Sequence, residues 1–371
     1  MAFTAGEVTN IGNAQTDWYL DKGEQFRQTL QKRPLMDKLV SRKKFFGSGK
    51  GSLTVAVSGA FGAGGVNDTL KGYTHDDQVV FYTPANIKRA VYAWREHHLG
   101  IVMTHTELKM DGISVVDPGS NGEKTTEHSR RELTTLVSLF DDKLFDVTEK
   151  YARDFNALLY GDGVADAKAL HGLKLLVADD PSVGVVGGIN RATAGFEWWR
   201  NRARTAAFGV KVSGTPALGA WGGGAVTSNI ADGGALLQVL QSELRQLSRY
   251  GGKPDLFVVG SDFLGAMEKE MRANGSYSMT GFTKNQDGSM GDMYFSGSPI
   301  VYDPTLDDLG LAKRGYWLDT SKIGIYAMED EWMHKHTPAR PADKFIMYRS
   351  ITSTCQLIGK QFNSSLVIDI A

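Results

Sequence analysis

Cysteine is almost absent: Cys355 is the single one in 371 residues. One thiol excludes an internal disulfide framework and any CxxC metal or redox site. It fits folding in a reducing cytoplasm. An excess of one charge is missing too. The formal net charge is −1, so no global field draws in nucleic acid or an anionic membrane. No apolar run approaches the ~18 residues of a membrane-spanning helix. The opening Met1-Ala2-Phe3-Thr4-Ala5-Gly6-Glu7 has neither a basic nor an apolar stretch and does not read as a secretory signal.

The motifs of common enzyme chemistry are missing as well. Gly47-Ser48-Gly49-Lys50-Gly51-Ser52 superficially resembles a phosphate loop. Its first glycine would have to fall at Lys44, and Gly51 stands where Ser or Thr belongs. The stretch reads as a basic hinge. No GxGxxG or GxSxG pattern occurs. Cys355 ends Ile351-Thr352-Ser353-Thr354-Cys355, a strand pattern, so a buried, inert thiol is expected. Glu96, His97, His98 and His105 lie close together without an HExxH spacing. On a strand, His97 and His98 point to opposite faces and cannot both serve one ion. His334 and His336 share a strand face, but Lys335 separates them and no third ligand is near in sequence. Adjacent carboxylates such as Asp76-Asp77, Asp141-Asp142 and Asp307-Asp308 read as solvated faces. The residues therefore assign no catalytic group, cofactor or metal.

What is present points to a large, ordered chain. Hydrophobic residues make up 42% and charged residues 22%, enough for a sizeable core. The length predicts two or three lobes. The 43 glycines cluster at 59–65, 187–188 and 219–224, where the backbone must bend or pack closely. Residues 129–160 read as one long helix. Leu133, Leu136, Val137, Phe140, Leu144, Val147, Tyr151, Phe155, Leu158 and Leu159 follow steps of three and four. Ser129 with Glu132 makes a capping box, and Gly161 is a stop. At 1.5 Å per residue the span is roughly 50 Å.

Residues 21–50 hold nine Lys or Arg against three acids, densest at Ser41-Arg42-Lys43-Lys44. Leu35, Leu39 and Val40 predict a short amphipathic helix inside this arm-like segment. Alternation at Leu53, Val55 and Val57, then Val79–Tyr82, then Val91 to Met103, predicts a two- or three-stranded excursion over about 51–110. Such a ribbon needs a partner surface to bury against. Beyond the long helix, residues 172–224 show little period. A compact α/β unit follows. Asp232 caps a helix carrying Leu236, Leu237, Leu240, Leu244 and Leu247, Gly251-Gly252 ends it, and Leu256–Val259 is a buried strand. Ser261 caps the next helix, with Phe263, Leu264, Met267 and Met271 inward. Strands are expected at Ile300–Tyr302, Ile323–Ala327, Phe345–Tyr348 and Leu366–Ile370.

Three stretches carry a resemblance. One is Leu173–Val177, then Gly187-Gly188-Ile189-Asn190-Arg191-Ala192 and Trp198-Trp199-Arg200-Asn201. The second is the helix–Gly-Gly-Lys-Pro-Asp-Leu-Phe-Val-Val-Gly-Ser–helix segment at 251–261, and the third is Ile300-Val301-Tyr302-Asp303-Pro304. In this order, with the arm, ribbon and long helix, the chain resembles the major capsid protein of tailed double-stranded DNA bacteriophages, the Hong Kong 97 type.

The resemblance implies an α+β fold with a long spine helix. Residues 1–50 would be an N-terminal arm and 51–110 an extended E-loop. Residues 111–164 and 316–371 would form the peripheral domain, and 165–315 an α/β axial domain. It implies self-assembly as hexamers and pentamers into an icosahedral virion capsid, built in the host cytoplasm and filled with double-stranded DNA. A separate scaffold protein, a portal and decoration proteins are the expected partners, and no membrane is. Arg42, Lys43, Lys44, Lys50 and Lys71 are the expected partner contacts. Some members of this family crosslink Lys to Asn, and Lys71 is the candidate donor, with no acceptor evident. An encapsulin-like shell around protein cargo is the alternative, and an α/β enzyme built around Leu256–Val259 is a third reading.

Overall fold

In the computed structural model the described residues are 30–48, 51–59, 70–78, 81, 87–104, 106, 130–166, 168–193, 195–207, 222–226, 235–273, 293–336 and 346–371. The chain divides into two compact units, residues 1–32 and 33–371, and residues 30–32 are the described part of the first.

The second unit opens with Pro34, whose missing N–H costs nothing in a first helical turn. Helix α1 (Pro34–Ser41) buries Leu35, Met36 and Leu39, so the expected amphipathic helix is present. Strand β1 (Lys44–Phe46) follows. Strands β2 (Leu53–Ser58) and β3 (Ile87–Tyr92) pair antiparallel, with Leu53 opposite Tyr92 and Ser58 opposite Ile87. Strand β4 (Arg95–Thr104) comes next. It leaves the ribbon and pairs over ten residues with a later strand, so the described ribbon is two-stranded. Of the strand expected at Val79–Tyr82, only Phe81 lies among the described residues.

Helix α2 (Arg130–Tyr160) has 31 residues and runs about 46 Å. Val147, Tyr151, Phe155 and Leu159 are buried at steps of four, one helical face. The expected capping pair Ser129 and Glu132, and the apolar positions 133–140, lie outside the described side chains. The helix stops as the sequence predicts: Gly161 donates its N–H to Leu158 O at 3.1 Å. The returning chain then crosses the helix end at Gly172. A Cβ there would stand 2.3 Å from Gly161 O, so only glycine fits.

Short elements follow: α3 (Leu173–Leu176), the hairpin β5 (Val185–Val186) and β6 (Ile189–Asn190), β7 (Arg202–Arg204) and β8 (Gly222–Gly223). Arg191 organises this stretch while fully buried. Its guanidinium donates to Trp199 O at 3.1 Å, Leu175 O at 3.3 Å and Leu176 O at 2.6 Å. Three carbonyls stand in for a counter-ion, and burial lowers its pKa to about 10.

The α/β unit appears where the pattern placed it. Helix α4 (Ala235–Ser248) buries Leu236, Leu240 and Leu247. The expected cap Asp232 lies outside the described residues. Strand β9 (Leu256–Val259) is buried throughout. Helix α5 (Ser261–Ala273) turns Phe263 and Met267 inward. Ser261 is its first residue, and the Asp307 carboxylate receives the Ser261 N–H at 3.0 Å. The remaining elements are β10 (Tyr294–Phe295), β11 (Ser298–Tyr302), α6 (Pro304–Asp308), β12 (Arg314–Leu318), β13 (Ile323–Met328), β14 (His334–Lys335), β15 (Ile346–Gly359) and β16 (Leu366–Asp369).

Two main sheets result. The seven-stranded sheet runs β10-β11-β9-β12-β16-β7-β8. One face, with Phe257, Val259, Trp317 and Ile368, packs on α4 and α5. The other, with Leu256, Val258, Tyr316, Leu318 and Val367, joins the core that holds α2. Cover on both faces explains the unbroken apolar runs of β9 and β12. The five-stranded sheet runs β1-β13-β15-β14, with β4 on the far side of β15. Residues 316–371, expected to lie together with the spine helix, are thus shared between both sheets. Strand β16 closes on β12 and β7 because Leu366, Val367 and Ile368 are apolar on both faces.

A buried carboxylate fastens α2 to the seven-stranded sheet. Asp303 caps α6 by accepting the Thr305 N–H at 2.9 Å. It also accepts the Tyr160 hydroxyl at 2.8 Å and the Asn156 amide at 3.3 Å. Asn156 donates again to Thr305 Oγ1 at 2.8 Å. Burial and the adjacent carboxylate push the Tyr160 hydroxyl well above its ordinary pKa. Asp303→Ala strands three buried donors. It should therefore cost about 3 kcal/mol in urea denaturation, at roughly 1 or more per orphaned group. An unchanged unfolding midpoint would remove Asp303 from this role.

Candidate contact surfaces

The five expected contact residues fall into different settings. Arg42 is engaged inside the chain. Its guanidinium pairs with Asp255 at 2.7 Å and donates to Thr320 Oγ1 at 2.6 Å. Asp255 also accepts the Thr320 N–H and hydroxyl, each at 2.8 Å, and Lys38 stands 3.8 Å away. Asp255 immediately precedes β9, and Thr320 lies in the turn from β12 to β13. The pair therefore ties the end of α1 to both sheets.

Lys43 and Lys44 sit over aromatic faces. The Lys43 ammonium lies 5.4 Å from the Trp332 ring centre and 5.6 Å from Phe45. Lys44 lies 6.0 Å from Tyr326, which Lys360 approaches from 5.8 Å. Their apolar stems cover the rings while the charges stay at the surface. Strand β1 holds this row by pairing parallel with β13, Lys44 beside Tyr326 and Phe46 beside Met328. Lys50 lies outside the described residues. Lys71 is exposed, just before the Thr74–Asp77 turn, which closes through Thr74 N–H to Asp77 at 2.8 Å.

The ribbon has two unlike faces. Leu53, Val57, Ala90 and Tyr92 are buried against the same chain. Tyr92 donates its hydroxyl to Gly359 O at 2.9 Å, and Val91 N–H bonds Gly187 O at 2.9 Å. Part of the partner surface that the sequence required is thus intramolecular. The opposite face carries exposed Ile87 and Val91, and the preceding described residues include exposed Leu70, Tyr73 and Phe81. Large apolar side chains this exposed need a cover. The sequence signal was available in Leu70, Tyr73 and Phe81, apolar residues within a polar, glycine-bearing stretch.

Reactive groups are sequestered. Cys355 is fully buried, and burial pushes its thiol up to about 12. His97 and His98 project to opposite faces, as alternation demands. His97 packs edge-on against Phe155 at 6.2 Å, its Nε2 lacks a partner, and burial lowers its pKa. Burial and then Arg95 lower that of His171. Among the described residues no group of three or more His, Cys, Asp or Glu is gathered to hold a metal ion. No described helix is long and apolar enough to cross a membrane.

No protein-family model and no curated protein matches this chain. Solved structures do, over nearly its whole length. The fold is a phage capsid-type α+β fold. The chain is 18% identical to a chain of the cyanophage A-1(L) capsid, covering 94% of this chain and 95% of that one, with a TM-score of 0.60. The capsid of the native GTA particle matches at 14% identity and a TM-score of 0.54, covering 100% of both chains. The capsid of Myoviridae phage XM1 matches at 12% identity and 0.52, over 94% of this chain and 95% of that one.

Two measurements probe these surfaces. Arg42→Ala should cost up to about 1 kcal/mol, because the pair is half-exposed. Asp255→Ala should cost about 2, since it also unseats Thr320. The Arg42 effect should shrink in 1 M NaCl, and a deficit indifferent to salt would contradict an ion-pair origin. The second concerns pH. His97 and His171 are held below the ordinary histidine value of about 6.5. Their contribution to stability is present above that value and is lost as pH falls through their folded values. Urea midpoints at pH 7.5 and 5 should therefore converge more in His97→Phe than in the parent. Equal losses in both would exclude His97.

Proposed function

We propose that this chain is the major capsid protein of a tailed double-stranded DNA phage, assembling as hexamers and pentamers into an icosahedral shell. The observation that carries the reading is the match to capsid chains from end to end, 94% of this chain against 95% of the cyanophage one. A likeness of that extent includes the ribbon and long helix as well as the α/β core. In this reading residues 1–50 act as the N-terminal arm and 51–110 as an E-loop over a neighbour. Helix α2 is the spine. Residues 111–164 and 316–371 are the peripheral domain, and 165–315 are the axial domain, to which β12 and β16 are added.

The physical support lies in the ribbon. One face is closed on its own subunit while Ile87 and Val91 stay exposed on the other. A second copy would bury that face, and rings of identical head-to-tail contacts close on themselves. Lys43, Lys44, Lys50 and Lys71 are proposed to meet acidic groups of a neighbour, a scaffold protein or packaged DNA. Each such contact should be salt-sensitive. Arg42, occupied by Asp255 and Thr320, is proposed to act within the subunit. A portal, decoration proteins and assembly in the host cytoplasm complete the proposal.

Sedimentation velocity with negative-stain imaging, with and without co-expressed scaffold protein, tests it. Closed shells or free hexamer and pentamer rings are expected with scaffold. Shells of normal size from the chain alone would refute the need for a scaffold. Shells that hold protein cargo and exclude DNA would favour an encapsulin-like compartment. A chain that stays monomeric even with scaffold would end the assembly reading.

A further inference from the structure

The three imidazoles left over by the assembly reading come together on one sheet face. Strand β15 has β4 on one side and β14 on the other. His98 pairs with Thr352, and Thr352 pairs in turn with His334. The next row repeats the arrangement. Gly100 pairs with Ser350, and His336 donates its N–H to Ser350 O at 2.9 Å. Directly paired residues project to the same face. The result is a floor of Gly100, Ser350 and Thr352, with His98 on one side and His334 and His336 on the other.

Local geometry aims the rings at this floor. His334 and His336 stand 4.8 Å apart between ring centres, edge to face. His336 Nε2 is bonded to Thr352 Oγ1 at 2.8 Å. A ring that keeps this bond has Nδ1 left to ligate, the usual arrangement of a metal-bound histidine held by its second nitrogen. The His98 ring leans over Gly100, where a Cβ would stand 3.3 Å from its Nε2. Any larger residue at 100 would crowd that ring. His98 and His334 are exposed, so their rings turn without disturbing the core. The Cα atoms of His98 and His334 lie two strand spacings apart, about 10 Å, which imidazoles span from opposite sides of one ion. The charged groups nearby are Glu96, two residues along on the His98 face, and Arg349, whose Nε donates to His336 O at 3.1 Å.

We propose that His98, His334 and His336 form a three-imidazole site for a borderline divalent transition-metal ion such as Zn²⁺, with water in the fourth position. Imidazole suits Zn²⁺, Ni²⁺ and Cu²⁺, while hard cations prefer oxygen. The donors are not yet gathered into a ligand sphere. Binding closes them by side-chain rotation about a backbone whose strand register already sets their spacing. The site is independent of the assembly reading, since all three ligands come from one subunit.

The test is calorimetric titration of the tag-free full chain with Zn²⁺ at pH 7.5, beside His98→Gln, His334→Gln and His336→Gln. One ion per chain with a micromolar dissociation constant is expected. Each substitution should weaken it by about tenfold or more, because ligands and their supports carry such factors. Far-UV circular dichroism should be unchanged, as the three side chains lie at the surface. Absence of saturable binding at millimolar Zn²⁺ would overturn the proposal. So would full affinity in the His334→Gln/His336→Gln double variant, which places the ion elsewhere, or full affinity in His98→Gln, which removes the third ligand.

Discussion

The fold depends on one short crossing. Residues 319–322 carry the chain from β12 in the seven-stranded sheet to β13 in the five-stranded sheet. A turn between two rigid layers must have its polar backbone satisfied locally, or both layers lose their register. Asp319 accepts the Lys253 N–H and the Ser321 N–H, each at 3.0 Å. Asp255 takes the Thr320 N–H and hydroxyl. Arg42 then bridges from the N-terminal segment to both. Two carboxylates, neither in a motif, thus fix the relation of α1, β9, β12 and β13. Asp303 performs the same task for α2 on the other side of β9.

Buried charge is handled consistently. Glu243 is fully buried and receives Arg202 and Arg204, with the Arg204 contact at 2.7 Å. Arg314 chelates Asp369 through two nitrogens at 2.7 and 2.8 Å and meets Asp179 at 2.8 Å. Glu270, buried on α5, accepts the Leu236 and Leu237 N–H groups at the start of α4. Such groups contribute little net stability against an apolar replacement, but losing one partner is costly. They set how strands and helices meet, a matter of geometry more than of strength.

The sequence made legible whatever depends on period. Val147, Tyr151, Phe155 and Leu159 marked the buried face of α2, and Leu256–Val259 marked a central strand. Composition excluded disulfides. What escaped was whatever depends on long-range pairing. Arg42 reads as a solvated or partner-seeking charge because Asp255 is more than two hundred positions away. Strand β4 reads as part of the ribbon because alternation does not name its neighbour. Strand β12 went unnoticed because Arg314-Gly315-Tyr316-Trp317-Leu318 lacks a simple pattern. The histidines at 98, 334 and 336 looked unrelated until β15 brought them into two rows.

The long strand β15 has a mechanical consequence. Its 14 residues pair with β4 along one stretch and with β13 along another, and Gly359 leads within a few residues into β16. A pull that reaches β4 along its own axis would load the ten β4–β15 pairs in shear, all at once. It would not peel them apart one at a time. Tension arriving through the ribbon is thereby spread along a tie-rod that runs through one sheet and is anchored in the other.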